Sequence, residues 1–251
     1  MPVKGDQHLF LVWLTFVGLA VFAFFVTWHM HWLQLVFIWD SSRISWVIAV
    51  MFLVICCHAA SRAFFISSQI TAVASIRDLV ARLNPGDIRV RHGRLELSGS
   101  ELPESVVTDY LNDLFGHTSG TVTAGGESPV GNIELLEVVR HQLKGPNELG
   151  WFVSDLMIRL GLLGTVVGFV LMLASVVDVT EFDAETMRGV LQKMSTGMGT
   201  ALYTTVAGLV CSMFTTAQYH LLDQGAEEVT ESARHIAQTR VMSLIRQGEG
   251  N

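Results

Sequence analysis

Four long apolar stretches divide the chain, and each predicts a membrane-crossing helix. The first, Leu9 to Met30, has no Asp, Glu, Lys or Arg, and about twenty such residues at 1.5 Å each cross a bilayer core. The second, Ile44 to Ala60, is shorter but continues through Ser61 to Arg62, whose guanidinium can snorkel to the interface. The third runs from about Trp151 to Val177 and is uncharged from Leu160 onward; the fourth runs from about Gly197 to Leu222. An even number of spans puts both termini on one side.

Between the apolar stretches the period changes. Ile66, Ile70, Val73, Ile76, Leu79, Val80 and Leu83 recur at helical spacing, so the second span continues as a helix until Asn84-Pro85-Gly86 stops it. Ile88 to Val90 and Leu95 to Leu97 flank Arg91-His92-Gly93-Arg94 and predict a small β-hairpin. A short helix follows from Leu102-Pro103-Glu104 to Leu114. Residues 116 to 131 hold five glycines with several Ser and Thr and predict a linker. A helix resumes near Asn132 and breaks at Gly145-Pro146 before span three. Leu221, Leu222, Val229, Ala233, Ile236, Ala237, Val241 and Leu244 mark an amphipathic helix after span four. The predicted fold is therefore an all-α integral membrane protein with four transmembrane helices and a small insertion holding the hairpin. Its parts are 1–61 (spans one and two), 62–149 (helices and insertion), 150–222 (spans three and four) and 223–251 (C-terminal helix).

Charge sets the orientation. Residues 62 to 150 carry Arg62, Arg77, Arg82, Arg89, Arg91, Arg94, Arg140 and Lys144, whereas the other two loops offer only Arg43 and the pair Arg188 and Lys193. Positive residues stay inside, so the middle segment and both termini are predicted to be cytoplasmic. Composition agrees with membrane burial: half the residues are hydrophobic and 16% are charged, with mean hydropathy +0.44. A net charge of −7 with no basic run gives nucleic acid no footprint. Cys56, Cys57 and Cys211 all lie in apolar stretches and read as small buried residues, with no metal-ligand spacing. No Ser-His-Asp grouping, phosphate loop with its lysine, or His-Glu-x-x-His occurs, so no enzyme is expected.

Spans three and four hold the informative residues. Gly161-Leu-Leu-Gly164-Thr165-Val-Val-Gly168 places three glycines and a hydroxyl in an uncharged run. Gly164 and Gly168 form a small-xxx-small pair that lets two backbones approach closely in lipid. Thr165 must share its hydroxyl within the helix or face a polar cavity. In span four, Ala201, Thr205, Gly208 and Ser212 recur at spacings of four, three and four and share one small, weakly polar face. Thr204 and Thr205 either bond back to their own helix carbonyls or, with Thr165, face a polar path. Neither span core holds a carboxylate, so the chain brings no proton carrier of its own. Asp155 and Arg159, one turn apart at the start of span three, read as an interfacial ion pair or as a gating or partner contact. Asp178, Glu181, Asp183 and Glu185 rim the outer loop, His58 reads as a packed or interfacial histidine, and His29, His31, Trp28 and Trp32 read as an interfacial belt.

Gly161-Leu-Leu-Gly-Thr-Val-Val-Gly168, followed by Ala201-Leu-Tyr-Thr-Thr205-Val-Ala-Gly208-Leu209, resembles the paired signature of the ExbB/TolQ/MotA ion-channel subunits. The resemblance is specific over residues 150 to about 222. It implies a homo-oligomeric ring, typically a pentamer, in a bacterial cytoplasmic membrane. Within the ring would sit the transmembrane helices of a single-span ExbD/TolR/MotB-type partner carrying the titrating aspartate. It also implies Thr165 and Thr205 as ion-path residues, with protons or sodium ions as the moving species and no cofactor. Thr204 and Thr200 are expected to belong to the same path, Thr200 standing where transport-type members of that family often carry a glutamate. The competing expectation is a non-conducting membrane scaffold or receptor, in which the glycines serve packing alone.

Overall fold

The long apolar runs fold as helices, and short polar residues start them. The computed structural model describes residues 8–29, 40, 42–82, 88–91, 94–97, 100–101, 105–121, 129–177 and 183–237. In chain order the elements are α1 (His8–His29), α2 (Ile44–Arg82), β1 (Ile88–Arg91), β2 (Arg94–Leu97), β3 (Ser100–Glu101), α3 (Val106–Thr121), α4 (Pro129–Lys144), a 3-10 turn (Gly145–Asn147), α5 (Glu148–Val177) and α6 (Ala184–Ile236).

The starts follow from side-chain chemistry. Before α2, the Asp40 carboxylate accepts from Ser42 N at 2.9 Å, Ser42 Oγ at 2.5 Å and Ser45 N at 2.7 Å, satisfying donors that a helix terminus otherwise leaves open. The tight entry puts Arg43 at φ 59°. Burial pushes the Asp40 carboxyl up, but the hydrogen bonds from Ser42 and Ser45 outweigh it and leave the group below its ordinary value. Ser105 opens α3 by accepting from Thr108 N at 3.1 Å. Asp183 opens α6 by accepting from Thr186 N at 2.9 Å. Pro129 takes the first position of α4, where its missing N–H costs nothing.

Among the described residues, three helices are long and apolar enough to cross a membrane: Ile44–Leu79, Glu134–Val176 (which runs through the 3-10 turn) and Ala184–Ile236. The apolar part of α1 is shorter, Trp13–His29. Of the linker expected over 116–131, residues 116–121 and 129–131 are helical, since α3 continues to Thr121 and α4 begins at Pro129, while 122–128 lie outside the described residues. A helical glycine costs only about 1 kcal/mol, less than the buried face of Val107, Leu111 and Leu114 supplies to α3. The span-four helix and the amphipathic helix after it form one element, α6. Asp178, Glu181, His31, Trp32, Leu83 and the expected helix beyond 237 lie outside the described residues.

Two compact units divide the chain: Met1–Leu11, Arg62–Asn147 and Leu221–Asn251 form one, and Val12–Ser61 and Glu148–His220 the other. In the first, Ile66, Ile70, Val73 and Ile76 of α2 are buried, as are Val139 and Leu143 of α4 and Leu222, Val229, Ala233 and Ile236 of α6. Its sheet is antiparallel in the order β1-β2-β3, with Ile88 opposite Leu97 and Arg91 opposite Arg94. Arg62 Nη2 donates to the Leu143 carbonyl at 2.6 Å, and its Nε to Asn147 Oδ1 at 3.3 Å. Asn147 Nδ2 donates in turn to Asp223 Oδ1 at 2.8 Å. The second unit buries Ile48, Ile55 and Ala59 of α2 with Met157 of α5 and Tyr219 of α6, while Leu163, Val166, Phe169, Leu202, Val206 and Met213 point outward. Outward apolar faces are what lipid or further subunits require.

Candidate functional site

The site is the antiparallel pair α5 and α6 within the second unit, and glycine decides how closely they approach. A Cβ added at Gly168 would lie 2.6 Å from Ala201 N and from the Gly197 carbonyl oxygen. One at Gly208 would lie 2.7 Å from the Met157 carbonyl oxygen and 3.0 Å from Gly161 Cα. One at Gly164 would overlap the Thr204 side chain, and one at Gly161 would sit 3.3 Å from Gly208 Cα. No other residue fits these four positions without moving backbone or a locked side chain. The small-xxx-small reading therefore describes an intrachain interface.

The hydroxyls fall into two groups. Thr200 and Thr204 are fully buried, and Thr204 Oγ1 donates to the Thr200 carbonyl at 2.8 Å. Both are packing residues of this interface. Thr205 is half-buried; its Oγ1 lies 3.0 Å from the Ala201 carbonyl and 3.2 Å from the Gly161 carbonyl across on α5, and donates to one at a time. Thr165 is also half-buried, and its Oγ1 donates to the Leu162 carbonyl of its own helix at 2.6 Å. The hydroxyl protons of Thr165 and Thr204 thus go to carbonyls of their own helices, and that of Thr205 is shared between its own helix and α5. The face carrying Ala201, Thr205, Gly208 and Ser212 does exist, and it meets α5.

The polar seam continues past the residues picked from sequence. Ser154 Oγ lies 2.8 Å from Ser212 Oγ, 2.7 Å from Thr216 Oγ1 and 3.2 Å from the Ser212 carbonyl. Tyr219, fully buried, sits against Gly150 so closely that a Cβ there would enter its ring. Its hydroxyl lies 2.6 Å from His58 Nδ1 on α2. Ser154, Thr216, Gly150 and Tyr219 were not picked out; the available signal was the seven-residue series Thr205, Ser212, Tyr219 facing Ser154, Gly161, Gly168. Asp155 and Arg159 form an ion pair at 2.5 Å on the outer surface, with side chains 54% and 72% exposed, and so lie away from the seam.

Chemically, this pair can place hydroxyls and carbonyl oxygens in an apolar setting, and its uncharged runs, 160–177 and 197–222, hold no acid. Residues 141–235 match the model of the MotA/TolQ/ExbB proton channel family. The match takes in the last turn of α4, all of α5 and nearly all of α6, so it covers both signatures read from sequence. No curated protein and no solved structure matches the chain.

Proposed function

We propose that the chain is a ring-forming subunit of an ion-driven, most simply proton-driven, membrane motor. In this reading a homo-oligomer, five copies in the simplest case, surrounds the transmembrane helices of an ExbD/TolR/MotB-type partner and converts ion flow into mechanical work. One observation carries it: within the family segment, Thr205 keeps its hydroxyl half-buried on the carbonyl of Gly161, while the span cores hold no carboxylate. A path with hydroxyls but no acid needs a titrating group from another chain. Thr165 and Thr205 are its ion-path residues. Thr200 and Thr204 hold the wall behind them, and Gly161, Gly164, Gly168, Ala201, Gly208 and Ser212 set the helix spacing. Asp155 and Arg159 serve as a partner or gating contact. The chain crosses a bacterial cytoplasmic membrane four times, α1 included, with both termini and residues 62–149 on the cytoplasmic side.

The test is the native mass of the full chain extracted in mild detergent. A closed oligomer supports the motor; a stable monomer sinks it. The return of the Thr204 and Thr205 hydroxyls to the Thr200 and Ala201 carbonyls favours the second reading, a non-conducting scaffold. That reading predicts tolerance of Thr205→Val together with sensitivity to Gly164→Leu.

A further inference from the structure

Tyr219 is fully buried, and a buried phenol needs both a cavity for its ring and a partner for its hydroxyl. Three helices supply these. Gly150 of α5 leaves the space of a missing Cβ, which the ring fills. His58 of α2 offers Nδ1 at 2.6 Å and stacks its ring at a 17° interplanar angle, 6.1 Å between centroids. The neighbouring Gln218 Nε2 also reaches α2, at Cys56 Sγ, 3.6 Å away. On the α5 side, one turn along, Thr216 bonds Ser154 at 2.7 Å. Tyr219 thus pins α6 to α2 and α5 at a single level.

The position of this pin along α6 gives it a consequence. Thr205, Ser212 and Tyr219 are spaced by seven, and a straight helix drifts only about 20° per heptad. Holding Tyr219 therefore fixes the direction in which Thr205 points, within about 40°. We infer that Tyr219 is a positioning residue, held by His58 and the Gly150 notch, that sets the rotation of α6 and so aims the Thr205 hydroxyl; the inference rests on Thr205 belonging to the ion path.

The test uses the full chain in lipid nanodiscs, with Cys56, Cys57 and Cys211 replaced by alanine and spin labels at Val50→Cys and Val206→Cys. Both label sites are exposed, on α2 and α6. Ion flux is read in parallel in liposomes holding the chain and its partner subunit. Tyr219→Phe keeps the ring in its notch and removes only the hydroxyl bond. It should widen the spin–spin distance distribution, raising the displaced population about fivefold, the scale one side-chain hydrogen bond holds, and flux should fall. His58→Leu should do the same, and His58→Asn, whose amide takes the place of Nδ1, should restore both. An unchanged distribution in Tyr219→Phe overturns the inference. So does a widened distribution with flux intact, if Thr205→Val abolishes flux in the same assay. Flux indifferent to Thr205→Val removes the ion-path reading and with it the aiming role, and a widened distribution would then support the pin alone.

Discussion

Glycine positions in α5 and α6 differ in what they permit, and that difference is measurable residue by residue. Gly164→Ala pushes a Cβ into Thr204, and overpacking of this kind costs about 1–3 kcal/mol. Gly189, also in α6, has nothing within 4 Å of an added Cβ, so Gly189→Ala should be neutral or stabilising by up to about 1 kcal/mol. Thermal midpoints in one detergent compare the two, and equal midpoints would contradict the packing described. Asp40 offers a pH test. Its folded value lies below the ordinary 3.8 because hydrogen bonds from Ser42 and Ser45 overcome the effect of burial. A lowered folded value means the cap stabilises fully above 3.8 and is lost as the pH falls through the folded value. Asp40→Ala should therefore cost about 1 kcal/mol at neutral pH and flatten the acid side of the stability profile; a profile unchanged below pH 4 counts against this. The glycines and threonines were legible in the sequence because they violate the composition of a lipid-facing helix. Asp40 was not, because a single Asp before Ser42 and Ser45 resembles any polar loop until the backbone folds onto it.

At the scale of elements, periodicity located the helices well and their ends poorly. α2 was legible through Ile76 because its buried positions keep helical spacing across the change from membrane to aqueous surroundings. In the glycine-rich stretch after Leu114 the helix runs on to Thr121, since glycines weaken a helix without forbidding it. The turn between α4 and α5 shows a different limit. Gly145-Pro146 announced a break, but only the folded chain puts Asn147, 1% exposed, between Arg62 and Asp223. Asn147→Ala removes the hydrogen bonds that Asn147 accepts from Arg62 and donates to Asp223 and should cost about 1–3 kcal/mol. The nearby contacts of Lys144 and Arg140 with Glu227 are largely exposed, and Glu227→Gln should cost less than about 1 kcal/mol. Denaturation midpoints that reverse this order would show the polar chain through Asn147 to be incidental.

For the whole molecule, the central matter is what the small, weakly polar face of α6 does. Sequence alone left two uses for it, a packing face and an ion-path face, because both ask for small residues and hydroxyls at helical spacing. Within one chain, packing against α5 uses most of that face. Thr204 is consumed by it, whereas Thr205 and Thr165 remain half-exposed. Exposed Leu163 and Val166 of α5 and Leu202 and Val206 of α6 leave room for neighbouring copies or lipid. The most direct test is ion flux through liposomes holding the assembled chain and its partner, with wild type set against Thr205→Val and Thr165→Val. Flux abolished in Thr205→Val and Thr165→Val, with the native mass of the assembly unchanged, is the predicted result. Full flux in both variants would contradict the account.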